Sequence, residues 1–293
     1  MLDQISEKVN KEHFDKHSAE YDERFGLSLE ITRGRARFIR EHTKYPAAVG
    51  NALDLGCGTG NLTIALVLEN MTVNSIGLDI SPGMLSVAKG KIRNEPACEF
   101  MAGSALKLPF KERTFDLCVG DAFLHHILDV EACLAEVYRV LKHGGMATFN
   151  EPSRDGYAFF EFIIRMILDA TDSKDQALEN YIDFLAFERE HEGDLKALKA
   201  YPLPDKHVFS EKALKQIAKS TGFSEIVFEP AMDPWTMLWQ HSFNAVLTEL
   251  NATEDMTKKL LRAAELVDEI MGDASRQHFC LHNQMFLYKK ATP

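Results

Sequence analysis

Long apolar runs, paired cysteines and an excess of basic charge are all missing from this chain of 293 residues. The most hydrophobic stretch, 157–168, is shorter than the roughly 20 residues a helix needs to cross a bilayer, and it carries Glu161 and Arg165. Residues 1–16 are rich in charge, so no secretory leader is expected. Lys and Arg number 33 against 44 Asp and Glu, a net charge of −11. That balance argues against extended contact with RNA or DNA, where affinity rests on neutralising phosphates. The nearest thing to a basic patch is Arg33, Arg35, Arg37 and Arg40, whose helical spacing reads as a solvated face. The five cysteines (Cys57, Cys98, Cys118, Cys133, Cys280) are scattered, odd in number and without C-x-x-C spacing. They speak against a zinc site and suit a reducing cytoplasm. A soluble, cytoplasmic protein is expected, with no metal and no internal repeat.

What is present is a glycine-rich loop. An apolar strand, 51–55, runs into Gly56, Gly58, Thr59 and Gly60, and a helix starts at Asn61. Glycines are needed where φ is positive or where a ligand presses on the main chain, so the strand–loop–helix unit reads as a nucleotide cradle. The spacing is G-x-G-x-G, with Asn61 where a dinucleotide fingerprint has its third glycine. Asp54, just before the loop, would repel a pyrophosphate and attract the cationic amine of a methionine moiety. Asp79 ends the next apolar strand and can hold ribose hydroxyls.

These residues resemble the class I S-adenosylmethionine-dependent methyltransferases, above all the group with ubiquinone-type and other small-molecule enzymes. The likeness is good over about 46–151, moderate over 206–230 and 276–290, and absent from 153–205 and 234–273.

Strands are predicted at 51–55, 73–79, 97–102, 115–120, 146–150 and 225–228, with a last strand at about 277–288. Between them lie a helix at 61–69, a helix opened by Ser81 and Pro82, an amphipathic helix capped by Asp129 and stopped by Gly144, and a helix at 209–221 capped by Ser210. Such alternation means an α/β, doubly wound parallel sheet. The resemblance implies a seven-stranded Rossmann-like sheet whose last strand is antiparallel and inserted between strands 5 and 6. An N-terminal helical cap (1–45, with helices at 9–26 and 29–42) and two helical insertions (153–205 and 234–273) are expected to form a lid on a core of 46–152 and 206–293.

A doubly wound sheet binds ligands at the carboxyl ends of its strands. The resemblance assigns the cofactor to Asp54, Gly56, Gly58, Thr59 and Gly60, with the ribose on Asp79 and adenine against Ile80 and Met84. Gly103, Ser104 and Ala105 follow strand 3, and Ser104 stands where the family has an acid that bonds the adenine amino group. His143 replaces a proline of the related pattern. Tyr21 either caps the methionine end or packs the N-terminal segment on the core. Asp121 and Ala122 are expected at the methionine portion. His125 and His126 are the candidates for acid/base work, with helix capping the other role open to them. Glu151 faces the acceptor or serves as a structural carboxylate.

The implied activity is methyl transfer from S-adenosylmethionine, leaving S-adenosylhomocysteine, to an O, N or C atom of a small molecule. Tyr157, Phe159, Phe160, Phe184, Phe187, Trp235 and Trp239 mark an apolar acceptor chamber, two or three of them touching substrate and the others packing the lid. The competing readings are an RNA or protein methyltransferase, disfavoured by charge, and a non-catalytic protein that binds the cofactor or its product. A homodimer stays open.

Overall fold

Alternation of apolar strands with capped helices builds one mixed sheet carrying helices on both faces. The computed structural model describes residues 2–44, 48–92, 97–171, 175–191, 207–231, 252–271 and 279–291. Seven strands, β1 (Val49–Leu55), β2 (Thr72–Asp79), β3 (Cys98–Ala102), β4 (Phe115–Asp121), β5 (Leu141–Pro152), β6 (Glu225–Pro230) and β7 (His282–Tyr288), pair in the order β3-β2-β1-β4-β5-β7-β6. The first five run parallel. β7 lies antiparallel between β5 and β6, as the resemblance implied.

Helices α4 (Asn61–Leu68), α5 (Pro82–Lys91), α6 (Val130–Val140) and α9 (Glu211–Ser220) are the crossovers of this sheet. The sequence caps act as expected: the hydroxyls of Ser81 and Ser210 and the carboxylate of Asp129 accept from the N–H groups of Met84, Ala213 and Ala132. One face of the sheet packs Leu53, Leu55, Phe115 and Phe149 against Leu134 and Val137 of α6 and Leu214 of α9. The other face packs Leu117, Val119 and Phe286 against Leu66 of α4 and Ile39 of α3 (Leu29–His42).

Three expectations are corrected. The helix expected at 9–26 is two: α1 (Leu2–His17) and the short α2 (Tyr21–Arg24). The break comes where the Ser18 hydroxyl bonds back to the Asp15 carbonyl and Glu20 N–H turns onto His17. Helix α6 ends at Val140 rather than at Gly144, because fully buried Leu141 is drawn into the sheet beside Phe115. Gly144 serves a turn against β7 instead, its N–H reaching the Lys289 carbonyl. The arginines of α3 are docking groups, not a solvated face. Arg33 and Arg37 pair with Glu69 at the end of α4, Arg40 bonds its carbonyl, and Arg35 approaches Asp121.

The insertions are helical where described: α7 (Arg154–Thr171), α8 (Gln176–Glu190) and α10 (Glu254–Ile270). They share a second core of Phe160, Ile164, Tyr181, Ile182, Phe184, Met256 and Leu260. Phe160, Phe184 and Tyr181 are thus spent on holding these helices together. Trp235 and Trp239 lie outside the described residues. Among the described residues no helix is long and apolar enough to cross a membrane.

Candidate active site

The strand ends Leu55, Asp79, Ala102, Asp121 and Pro152 open on one edge of the sheet, and the predicted site residues collect there. Gly56, Gly58 and Gly60 all take positive φ. At Gly56 a side chain would strike the Phe123 ring, 2.2 Å from an ideal Cβ, whereas nothing stands within 4 Å of a Cβ at Gly58. The loop is therefore packed beneath and open above Gly58, a cradle shaped for a ligand approaching the main chain.

Asp79 ties the crevice together. Its Oδ2 accepts the Gly58 N–H and its Oδ1 the Ser81 N–H, both at 2.8 Å. One carboxylate thereby orients the loop and the start of α5, with the Ile80 N–H as a further donor to it and acceptor capacity still to spare. Burial raises its pKa.

Asp54 lies deeper, 1% exposed, with its carboxylate accepting the Thr63 hydroxyl at 2.6 Å. Burial pushes its pKa up to about 7 against that hydrogen bond, and Asp121 and Asp79 add to the rise. Its charge reaches the crevice as a field from below, while its side chain anchors β1 to α4. Cys57 stays a protonated thiol, held well above its ordinary range by burial and then by Asp79 and Asp54.

The raised Asp54 pKa has a sign that can be tested. A carboxyl whose folded pKa exceeds its ordinary 3.8 contributes stability at low pH that disappears as pH rises through about 7. Asp54→Asn keeps an oxygen for Thr63 and removes the buried charge. Its thermal midpoint is expected to exceed the wild type's by roughly 3–8 °C at pH 8, and the gap to close as pH falls through 7 toward the ordinary 3.8. A pH-independent difference in the two melting curves would contradict this.

At the ends of β4 and β5 sits a polar group of another kind. Asp121 accepts from Asn150 Nδ2 at 2.8 Å and has Arg35 Nε at 3.6 Å. Ala122 takes positive φ, and its N–H donates to the Asn150 carbonyl. Glu151, 1% exposed, accepts the N–H groups of Phe123, Leu124 and His125. Its Oε2 also lies 2.8 Å from His125 Nδ1. A carboxylate can only accept there, so Nδ1 carries the hydrogen and, in the neutral ring, Nε2 carries the basic lone pair. His126 is turned toward α1, edge-on to Phe14. His282 at the start of β7 is held neutral, its pKa lowered to about 3 by burial and then by Arg35 and His125. Tyr157 of α7 stacks on it, the ring centroids 6.5 Å apart.

The N-terminal helices are bonded to the loops around the crevice. Asp22 accepts the Thr59 hydroxyl at 2.6 Å and Asn61 Nδ2 at 3.2 Å, and pairs with Lys91. Asp15 accepts the Ser81 hydroxyl and the Gly83 N–H, and Asn10 donates to the His126 carbonyl at 2.8 Å. Tyr21 lies against Phe14 and Phe25. Ile80 and Gly103 are partly exposed at the strand ends, Met84 is covered, and the Ala105 side chain belongs to the main core. Sequence reading missed Asp15 and Asn10, for which no local pattern gives a signal. Asp22 had one, its place beside the candidate Tyr21 in the run Ala19-Glu20-Tyr21-Asp22.

A profile of the methyltransferase domain family matches residues 53–149. A demethylmenaquinone methyltransferase of Lactiplantibacillus plantarum is 36% identical over 148 residues, 48% of this chain and 61% of that protein. The namesake in Lysinibacillus sphaericus is 34% identical over 55% of this chain and 73% of its own length. This chain spans about three fifths of the length of the first of these relatives. Among solved structures, a Haemonchus contortus phosphoethanolamine N-methyltransferase in complex with phosphomonomethylethanolamine and S-adenosylhomocysteine shares the fold at a TM-score of 0.58. It is 16% identical over 95% of this chain and 58% of the other.

Proposed function

Because the chain belongs to the class I S-adenosylmethionine-dependent methyltransferases, we propose that it moves a methyl group from S-adenosylmethionine to a small-molecule acceptor that gives up a proton. The observation that carries this reading is the cradle itself: Gly58 open above, Asp79 bridging it to α5, and acids on every side. Asp54, Asp79, Asp22 and Asp121 outnumber the two cations set against them, Lys91 and Arg35, a balance that suits a ligand bearing an ammonium and a sulfonium and opposes a pyrophosphate. Asp79 is the group for the ribose hydroxyls, and the loop backbone faces the methionine portion.

When bound, S-adenosylmethionine supplies a methyl group on a cationic sulfur that leaves as a neutral thioether. The chain's own part is to align the acceptor, exclude water and take up the acceptor's proton. α1 and α2 are bonded to the loops around the crevice, and α7 with its companion helices stands over the β5 end. His125 Nε2 is the base, and Glu151 holds the tautomer that makes it one. Asp121 and Arg35 complete a polar wall, and Tyr157 is the aromatic placed to meet a flat acceptor.

The names of the relatives make demethylmenaquinone the first acceptor to try. With methyl-labelled S-adenosylmethionine and either that quinone, chemically reduced beforehand to its quinol, or a metabolite extract, label is expected in a low-mass product. Label in protein or RNA alone, or in nothing, overturns the proposal.

A further inference from the structure

Ser104 follows β3 at the far side of the crevice, and a side chain from another part of the chain meets it there. In the order β3-β2-β1, a nucleoside with its tail over the β1 loop and its ribose on Asp79 of β2 extends its base toward the end of β3. The Ser104 hydroxyl donates to the carboxylate of Glu7 on α1 and accepts the Leu106 N–H. With the serine's hydrogen given to Glu7, the charged acceptor at this end of the crevice is the Glu7 carboxylate, stronger than the neutral hydroxyl oxygen that already accepts the Leu106 N–H. It has lone pairs in excess of the single bond it receives.

Glu7 does not arrive there by chance of a floppy terminus. One turn on, Asn10 bonds the His126 carbonyl, and two turns on, Asp15 holds both Ser81 and Gly83. Beside Glu7, Ser6 and Asn10 are more than nine-tenths buried. Among the described residues Ser6 Oγ and Asn10 Oδ1 have no hydrogen-bond partner. Buried polar atoms are rarely left so, and a polar ligand beneath α1 would give them partners.

We infer that Glu7 of the N-terminal helix supplies the carboxylate that recognises the exocyclic amino group of the cofactor's adenine, anchored through Ser104. The inference rests on the cofactor reading above. It makes base recognition a property of the closed cap: the acceptor is present only when α1 is docked. A carboxylate accepts and does not donate, so it selects a 6-aminopurine over a 6-oxopurine.

Calorimetry with S-adenosylhomocysteine and its 6-oxo analogue S-inosylhomocysteine tests it. The wild type is expected to prefer the amino compound by tenfold or more. Glu7→Ala should abolish most of that preference by weakening the amino compound alone, and adding Ser104→Asp to Glu7→Ala should restore it. Equal binding of the two compounds by the wild type, or an unchanged ratio in Glu7→Ala, overturns the inference while the cofactor reading stands. Equal weakening of both compounds assigns Glu7 to cap docking and also overturns it. If neither compound binds the wild type, the cofactor reading falls and the inference with it.

Discussion

Glu151→Gln is expected to lower turnover by about a hundred- to ten-thousand-fold while cofactor affinity stays within about twofold. The physical reason lies in which atoms the amide can imitate. Its oxygen can still accept the Phe123 and Leu124 N–H groups, which Glu151 Oε1 holds at 3.0 and 2.7 Å, so two of the three backbone bonds that hold the turn carrying His125 survive and only the longer one, from the His125 N–H, is lost. Its NH2 then faces His125 Nδ1 and must donate, which drives the ring to the other tautomer and removes the lone pair from Nε2. His125→Ala should cost about as much. The double variant should be scarcely worse than either single one, since residues acting as a unit are not additive. Steady-state rates with the identified acceptor, beside calorimetry of S-adenosylhomocysteine, give both readouts. Wild-type turnover in either single variant would remove the pair from the mechanism.

Asp79→Ala is expected to weaken cofactor binding by more than tenfold. Two effects combine. The ribose loses a charged acceptor, where each such hydrogen bond is worth about 1.5–3 kcal/mol. The N–H groups of Gly58 and Ser81 also lose the oxygens that hold them at 2.8 Å, so the cradle and the start of α5 are no longer locked together. Asp79→Asn can satisfy one of those N–H groups but presents an NH2 to the other, and should fall between Ala and wild type. A thermal shift accompanies the loss, because the two donors sit where Asp79 is nearly buried. Affinity for S-adenosylhomocysteine unchanged in Asp79→Ala would show that the cofactor crevice is elsewhere.

The sequence was most legible where a residue's neighbours in the chain set its conformation. A loop of glycines at positive φ, a serine at a helix N-terminus followed by proline, and an apolar run bounded by polar residues are local statements. Each came out within a few residues of its expected place. Boundaries slipped where the sheet competed with a helix, as at Leu141, whose burial beside Phe115 outweighed the helical spacing that includes it. The four arginines of α3 were misread for a related reason: helical spacing shows that they share a surface, not that another helix end lies opposite. Glu69 is the group that answers them, and nothing near residue 33 announces it.

From its residues alone the chain determined an alternating α/β core, the cradle after its first strand, and the acid that ends its second. These depend on backbone sterics, capping and the period of apolar residues, all of which act over a few positions. Only the tertiary structure decided which side chains complete the crevice: Asp22 on Thr59, Asp15 on Ser81, Glu7 on Ser104 and Glu151 on His125. Those pairs join residues far apart in the chain through single charged or polar contacts. A lone contact has no period and no spacing, so packing alone determines where it forms.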